Sequence, residues 1–323
     1  MISLRIISHR FAAVFAAAIT LTACMGGEKK GAETAPADTA FTRLGETSNL
    51  NTPEGARYDA DLDVFFISNI NGVPSAKDNN GYIARVNAAA TDSSTQFIRG
   101  GQGGVTLHAP KGMAIVGDTL WVADIDVLRG FNKRTGESVA NITFSPAPRF
   151  LNDVAAAPDG EIYITDTSIQ ITASGMRYFG QDKLYAVKGR TTRVVVEGQN
   201  KLAQPNGITW DTGNNRLLMA PFGGQSIAYI TQSNTQPIPI AGGQGGYDGI
   251  EVLPDGRIIV TSWQDSTVNV VLEGALKKVI TGVPEPADIG IDTKRMVLAL
   301  PRFSLNRVEY YHIPSATPAT TPK

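Results

Sequence analysis

Short apolar runs alternate with polar, glycine-marked turns along most of the chain, and hydrophobicity of helical period is nearly absent. Runs such as Val64-Phe65-Phe66-Ile67, Leu120-Trp121-Val122-Ala123 and Ile258-Ile259-Val260 are continuous rather than alternating. That is the pattern of a strand covered on both faces. A short strand and a tight turn precede each run, and this unit recurs. Its starts read Pro53-Glu54-Gly55, Pro110-Lys111-Gly112, Leu151-Asn152-Asp153, Pro205-Asn206-Gly207, Tyr247-Asp248-Gly249 and Pro286-Ala287-Asp288. A second hairpin-like pair follows each unit, for example Lys183-Leu184-Tyr185-Ala186-Val187 with Arg193-Val194-Val195-Val196. Four strands at a period of roughly 40–55 residues are the mark of a propeller blade. Six copies predict an all-β, six-bladed β-propeller over residues 41–313. The sixth copy supplies only three strands, ending in Arg307-Val308-Glu309-Tyr310-Tyr311-His312. The segment Phe41-Thr42-Arg43-Leu44 is expected to add the missing outer strand, which would close the ring and remove its open edges.

Composition narrows the function. A formal charge of −1, from 29 basic and 30 acidic residues, argues against nucleic acid as a partner. One cysteine excludes an internal disulfide, and three histidines make a multi-His metal site unexpected. The cysteine has a position that explains it. Arg5, His9 and Arg10 precede an apolar run from Phe11 to Thr22, too short to span a bilayer but right for the core of a signal peptide. The run ends in Leu21-Thr22-Ala23-Cys24, which resembles the lipobox of bacterial lipoproteins. The resemblance implies a signal peptide over 1–23, lipidation of Cys24 and attachment to a membrane outside the cytoplasm. Met25, where an Asp would signal inner-membrane retention, points to the outer membrane. Residues 24–40 then read as a flexible tether and 314–323 as a disordered tail. A monomer is expected.

Chemistry concentrates where the innermost strands begin, because those positions ring one mouth of a propeller channel. The six equivalent slots hold Glu54, Lys111, Asn152, Asn206, Asp248 and Ala287. Two carboxylates and two carboxamides make a hard oxygen set suited to Ca²⁺ and unsuited to Zn²⁺ or Cu²⁺. Asn and Asp are also turn-formers and could serve only to shape the strand starts.

The order Glu, Asn, Asn, Asp at inner-strand starts resembles the six-bladed calcium-dependent hydrolase propellers. These comprise the senescence-marker-protein/gluconolactonase/luciferin-regenerating-enzyme group, the squid-type diisopropylfluorophosphatases and the paraoxonases. The resemblance implies a calcium site made by Glu54, Asn152, Asn206 and Asp248, with Asp248 also the candidate general base or nucleophile. Asp153 would orient a ligand from behind. Lys111 departs from the pattern: it would either contact substrate or donate a proton, or replace a water or point outward, or tune the site away from catalysis. The longest loops on the same mouth, Asn69 to Asn80 and Thr167 to Gly180, are expected to carry specificity. Tyr178, Phe222, Trp263 and Arg302 are the candidate substrate contacts, with Arg177 and Arg302 available to an anion. Asp124 and Asp166 read as turn caps. No nucleophile-elbow serine is present, and His108 and His312 lie outside the ring. The implied activity is calcium-dependent hydrolysis of lactones or related esters. A propeller that binds a ligand or protein without catalysis stays open beside it.

Overall fold

The structure is a computed structural model that describes residues 40–172 and 174–316. The expected signal peptide, Cys24, the tether before Ala40 and the tail beyond Ala316 lie outside the described residues.

Six four-stranded antiparallel sheets follow one another along the chain. Blade 1 comprises Pro53–Asp59, Val64–Asn69, Tyr82–Asn87 and Ala90–Arg99. Blade 2 comprises Pro110–Val116, Thr119–Asp124, Val127–Asn132 and Ser138–Thr143. Blade 3 comprises Leu151–Ala156, Ile162–Asp166, Lys183–Lys188 and Thr191–Glu197. Blade 4 comprises Pro205–Asp211, Arg216–Pro221, Ser226–Ile230 and Ile238–Gly242. Blade 5 comprises Tyr247–Val252, Ile258–Ser262, Thr267–Leu272 and Ala275–Thr281. Blade 6 takes Gly290–Asp292, Val297–Arg302 and Arg307–His312 from the C-terminal end, and Thr42–Thr47 from the N-terminal end.

The last pairing closes the ring. Thr42–Thr47 runs antiparallel to Arg307–His312, from Thr42 opposite His312 to Thr47 opposite Val308. The expected closing strand is therefore present, three residues longer at its C-terminal end than the sequence segment suggested. Thr47 Oγ1 lies 3.0 Å from Tyr310 Oη and also donates to the Thr91 carbonyl of blade 1. The chain remains packed as far as Pro314, whose carbonyl accepts a 2.7 Å bond from Arg257.

The continuous apolar runs form the second strand of each blade, sandwiched between neighbouring blades. In blade 1, Phe65 packs toward blade 6, against Val308 and Tyr310. Its neighbour Phe66 points the other way, against Leu120 and Val122 of blade 2. The same division repeats around the ring, so the core is a circle of six interblade clusters rather than one centre. Burying a Phe or Leu side chain there contributes about 1.5–3 kcal/mol, and the sheets hold the channel mouth rigidly.

A two-stranded hairpin, Ile169–Thr172 with Gly175–Tyr178, leaves blade 3 between its second and third strands. It belongs to the long loop after residue 167 and stands at the channel mouth.

Candidate functional site

Glu54, Lys111, Asn152, Asn206 and Asp248 share a local geometry that the repeat explains. Each is the second residue of its blade's innermost strand. At each one the register to the second strand breaks. Pro53 faces Asn69 and Gly55 faces Ser68, so Glu54 has no partner. Pro205 and Gly207 likewise skip Asn206, and the same irregularity falls at Pro110/Met113, Leu151/Val154 and Tyr247/Ile250. Such a bulge turns a side chain out of the pleat, here toward the channel axis.

The backbone N–H stranded by the bulge needs another acceptor. A hydroxyl on the second strand supplies it in three blades. Gly55 N donates to Ser68 Oγ at 2.8 Å, Asp153 N to Thr165 Oγ1 at 2.9 Å, and Gly249 N to Thr261 Oγ1 at 2.8 Å. The glycine after the site residue has its own cause. A Cβ on Gly207 would sit 1.9 Å from the Asp248 carbonyl oxygen, and one on Gly112 2.0 Å from Asp153 Oδ1. Adjacent inner strands approach too closely for any larger residue.

Asp124 and Asp166 cap the approach to these strands, as expected. Asp124 accepts from the backbone N–H groups of His108 and Ala109, and Asp166 from those of Arg149, Phe150 and Ser168. His108 is itself engaged, its Nδ1 accepting from Asn79 N at 3.0 Å.

The bulged side chains form the floor of a cavity of about 260 Å³. Glu54, Asn152, Asn206 and Asp248 all line it, and all are buried. Glu54 Oε2 and Asp248 Oδ1 have no hydrogen-bond partner. Burial pushes Glu54 well above the ordinary carboxylate range. The Asp248 carboxylate adds to the effect, and Lys111 offsets part of it. Burial likewise raises Asp248 to about 8, with Trp263 and Asn206 drawing it down and Asp153 pushing it up. Asn152 Nδ2 donates to Thr167 Oγ1 at 3.0 Å, which frees its carbonyl oxygen for the cavity.

Among the described residues no group of three or more His, Cys, Asp or Glu is placed to hold a metal ion. The axial set is of a different kind, two carboxylates and two carboxamides. Its two orphaned buried oxygens and neutral amide oxygens fit a hard divalent cation, whose charge would offset the cost of burial that raises both carboxyls.

Lys111 points into the protein and is 1% exposed. Its Nζ donates to the carbonyls of Ala109 at 2.9 Å and Pro74 at 3.1 Å, and lies 4.2 Å from the centre of the Phe150 ring. Burial lowers its pKa to about 8, with Glu54 and Asp124 pulling it back up. Its contacts tie the loop after blade 1's second strand to the cavity rim.

The walls are apolar. Ile70 and Pro74 come from that loop, and Ile169, Ile171 and Met176 from the blade 3 hairpin. The two are joined by a 2.8 Å bond from Ile171 N to Ser75 Oγ. The opposite wall is an aromatic row. Phe222 and Trp263 pack edge-on at 5.8 Å between ring centres, and Trp263 and Phe303 at 5.4 Å.

Phe222 and Trp263 thus reach the cavity, whereas Tyr178 and Arg302 do not line it. Arg302 is turned into the fold, with Nη1 2.7 Å from Glu309 Oε2 and Nε 3.2 Å from the Pro284 carbonyl. Tyr178 closes the hairpin opposite Ile169 and interacts with Asp182. Arg177 lies against the Phe179 ring. Asp153 Oδ1 accepts from Val154 N and its Oδ2 from Ile208 N at 2.7 Å, so it ties blade 3 to blade 4.

Below the floor, a charge network absent from the sequence reading crosses the channel. Arg57 of blade 1 pairs with Glu251 of blade 5 and donates to the Met113 carbonyl of blade 2 at 2.7 Å. Both oxygens of buried Asp288 are without partners. Burial holds Asp288 well above the ordinary range, with Asp153 adding to it. Asp288 directly follows the uncharged sixth slot, Ala287, and its position one residue beyond the slot is the signal in the sequence that points to it.

The fold and floor define a class: a six-bladed propeller with a buried, oxygen-rich pocket on its axis. The SMP-30/gluconolactonase/LRE-like region matches residues 52–289, and the chain belongs to that family. The fold is shared with a structural-genomics protein described provisionally as a gluconolactonase. That match has 16% identity and a TM-score of 0.66, over 86% of this chain and 93% of the other. It is also shared with a luciferin-regenerating enzyme at 12% identity and a TM-score of 0.63, over 86% and 95%. No curated protein matches the sequence.

Proposed function

We propose that the protein is a calcium-dependent hydrolase of lactones or related esters. The observation that carries this reading is the pair of buried, partnerless carboxylate oxygens, on Glu54 and Asp248, beside the carboxamides of Asn152 and Asn206. Those four residues would hold the ion. When bound, calcium supplies a Lewis acid for the ester carbonyl oxygen. Asp248 is the group of the set suited to taking a proton from an attacking water. Burial raises its basicity into the neutral range, where a general base works best. The Phe222–Trp263–Phe303 row and the hairpin limit solvent around the reacting bond, which strengthens every charge interaction on the floor. Lys111 holds the Pro74 segment in place and keeps a positive charge close to Glu54.

The test uses the full chain stripped with chelator, then assayed on lactones and aryl esters with and without added Ca²⁺. Turnover that returns with calcium and is abolished in Asp248→Asn supports the proposal. Calcium binding seen by titration calorimetry without turnover of any lactone or ester would overturn the hydrolase and favour a ligand-binding propeller. Absence of calcium binding would remove the ion.

We also propose that Cys24 is lipidated and anchors the propeller outside the cytoplasm to a bacterial membrane, the outer membrane where the cell has one. The support is the Leu21-Thr22-Ala23-Cys24 run and the lack of any other cysteine. Labelled palmitate should enter the wild-type chain and not Cys24→Ala; equal labelling of both would refute the assignment.

A further inference from the structure

The floor and walls of the cavity make opposite demands on a ligand, and together they select its class. A polyhydroxylated lactone exchanges water hydrogen bonds for protein ones at every hydroxyl, and each left unmade costs affinity. The walls offer no side-chain donor or acceptor along Ile70, Ile169, Ile171, Met176 and Phe222, and a single one, the partnerless Nε1 of Trp263, in the aromatic row. Beside the four floor residues, the nearby polar groups Thr167 and Lys111 are already engaged. The Thr167 hydroxyl donates to the Pro205 carbonyl at 2.8 Å and accepts from Asn152. Lys111 spends two N–H groups on the carbonyls of Pro74 and Ala109 and stands against the Phe150 ring. What remains is a small polar spot under an apolar chamber, enough for one ester or lactone group and little else.

We propose that the ligand of this cavity is a lactone or ester with an unsubstituted alkyl or aryl body, and that polyhydroxylated, sugar-type lactones are rejected. The proposal rests on the lactone or ester reading above and specifies its substrate class. The body lies between the blade 3 hairpin and the aromatic row, with the carboxyl group toward Glu54 and Asp248. A cavity of about 260 Å³ suits a small ligand, below the usual range for drug-sized ones.

The experiment compares the calcium-loaded full chain on δ-valerolactone, δ-octanolactone and δ-decanolactone with its action on δ-gluconolactone. Burying one methylene is worth about 0.8 kcal/mol, so kcat/KM should rise about fourfold per added CH₂ until the chamber is filled. δ-Gluconolactone should fall at least tenfold below δ-valerolactone. Met176→Ser, at an exposed position, should flatten the chain-length series. Binding is read separately from turnover by Trp263 fluorescence, with Trp263→Phe as the blank, on titrating the matching lactams. Preference for δ-gluconolactone, or a flat series, would overturn the substrate class while leaving the hydrolase standing. No turnover at all, with alkyl lactams still binding ahead of the polyhydroxylated one, would overturn the hydrolase and keep the ligand class. Tighter binding of the polyhydroxylated lactam would overturn the class whatever the turnover.

Discussion

Asp248 offers the sharpest test of the site's electrostatics, because its cost to the fold depends on both pH and cation. In the metal-free protein, burial raises its carboxyl from 3.8 to about 8. The folded carboxyl therefore binds its proton more tightly than the unfolded one. Stability from this group is fully present below pH 4 and is lost as pH rises toward 8. Between pH 5 and 7 the loss runs at about 1.4 kcal/mol per pH unit. Lys111, lowered only to about 8, stays protonated in both states there and does not contribute to the slope. Asp248→Asn removes the titration while keeping shape. In chelator, its stability relative to wild type should grow by about 3 kcal/mol from pH 5 to pH 7. Urea midpoints at half-unit pH steps, with m-values checked for constancy, measure it. Excess Ca²⁺ should cancel most of that gain, since a ligand at a hundredfold its Kd stabilises by about 2.7 kcal/mol and the variant lacks one of the two carboxylates. A pH-independent difference in chelator would refute the electrostatic reasoning. Equal stabilisation of both proteins by calcium would refute the role of Asp248 as a ligand.

Other substitutions probe separate parts of the molecule. Deleting residues 41–46 removes most of the closing strand and its pairing with Arg307–His312; the melting midpoint should drop by roughly 5–10 °C, and an unchanged midpoint would sink the closure. Arg302→Met leaves buried Glu309 with only Arg307 and Tyr311 as partners. It should cost about 1–3 kcal/mol in denaturant titrations with KM unaltered in the folded fraction, whereas a stable protein with raised KM would return Arg302 to the substrate. Lys111→Met frees the Pro74 carbonyl, so it should speed protease cleavage between residues 70 and 80 and raise KM more than it lowers kcat. Loss of a limb near pH 8 from the kcat profile would instead show that the amine transfers a proton.

The propeller was legible because its cause is local and repeated. Continuous apolar runs such as Val64–Ile67 can be satisfied only between two neighbouring sheets, and six copies of one unit imply a ring. The axial residues were legible for the same reason: equivalent slots in a repeat have no structural need to differ, so Glu54, Asn152, Asn206 and Asp248 stood out. Arg302 and Tyr178 were not legible. Both lie near the ends of strands that open toward the mouth, and sequence does not tell which way such a side chain turns. Glu309, two strand positions from Tyr311 yet directly beside Arg302 in space, decided the first. The hydroxyls of Ser68, Thr165 and Thr261 carried a readable signal, a Ser or Thr near the end of three apolar runs, but its meaning depends on the bulge opposite.

What the sequence determined alone is the number of blades, the closing strand and the identity of the side chains on the cavity floor, all consequences of local pattern and repetition. Tertiary structure decided the rest: that Lys111 faces inward onto backbone carbonyls, that Asp153 joins two blades, and that the cavity above the floor is apolar. Those outcomes depend on which strands lie side by side at the axis and which loops fold over it. Contacts between residues far apart in the chain set that geometry, and no local pattern encodes them.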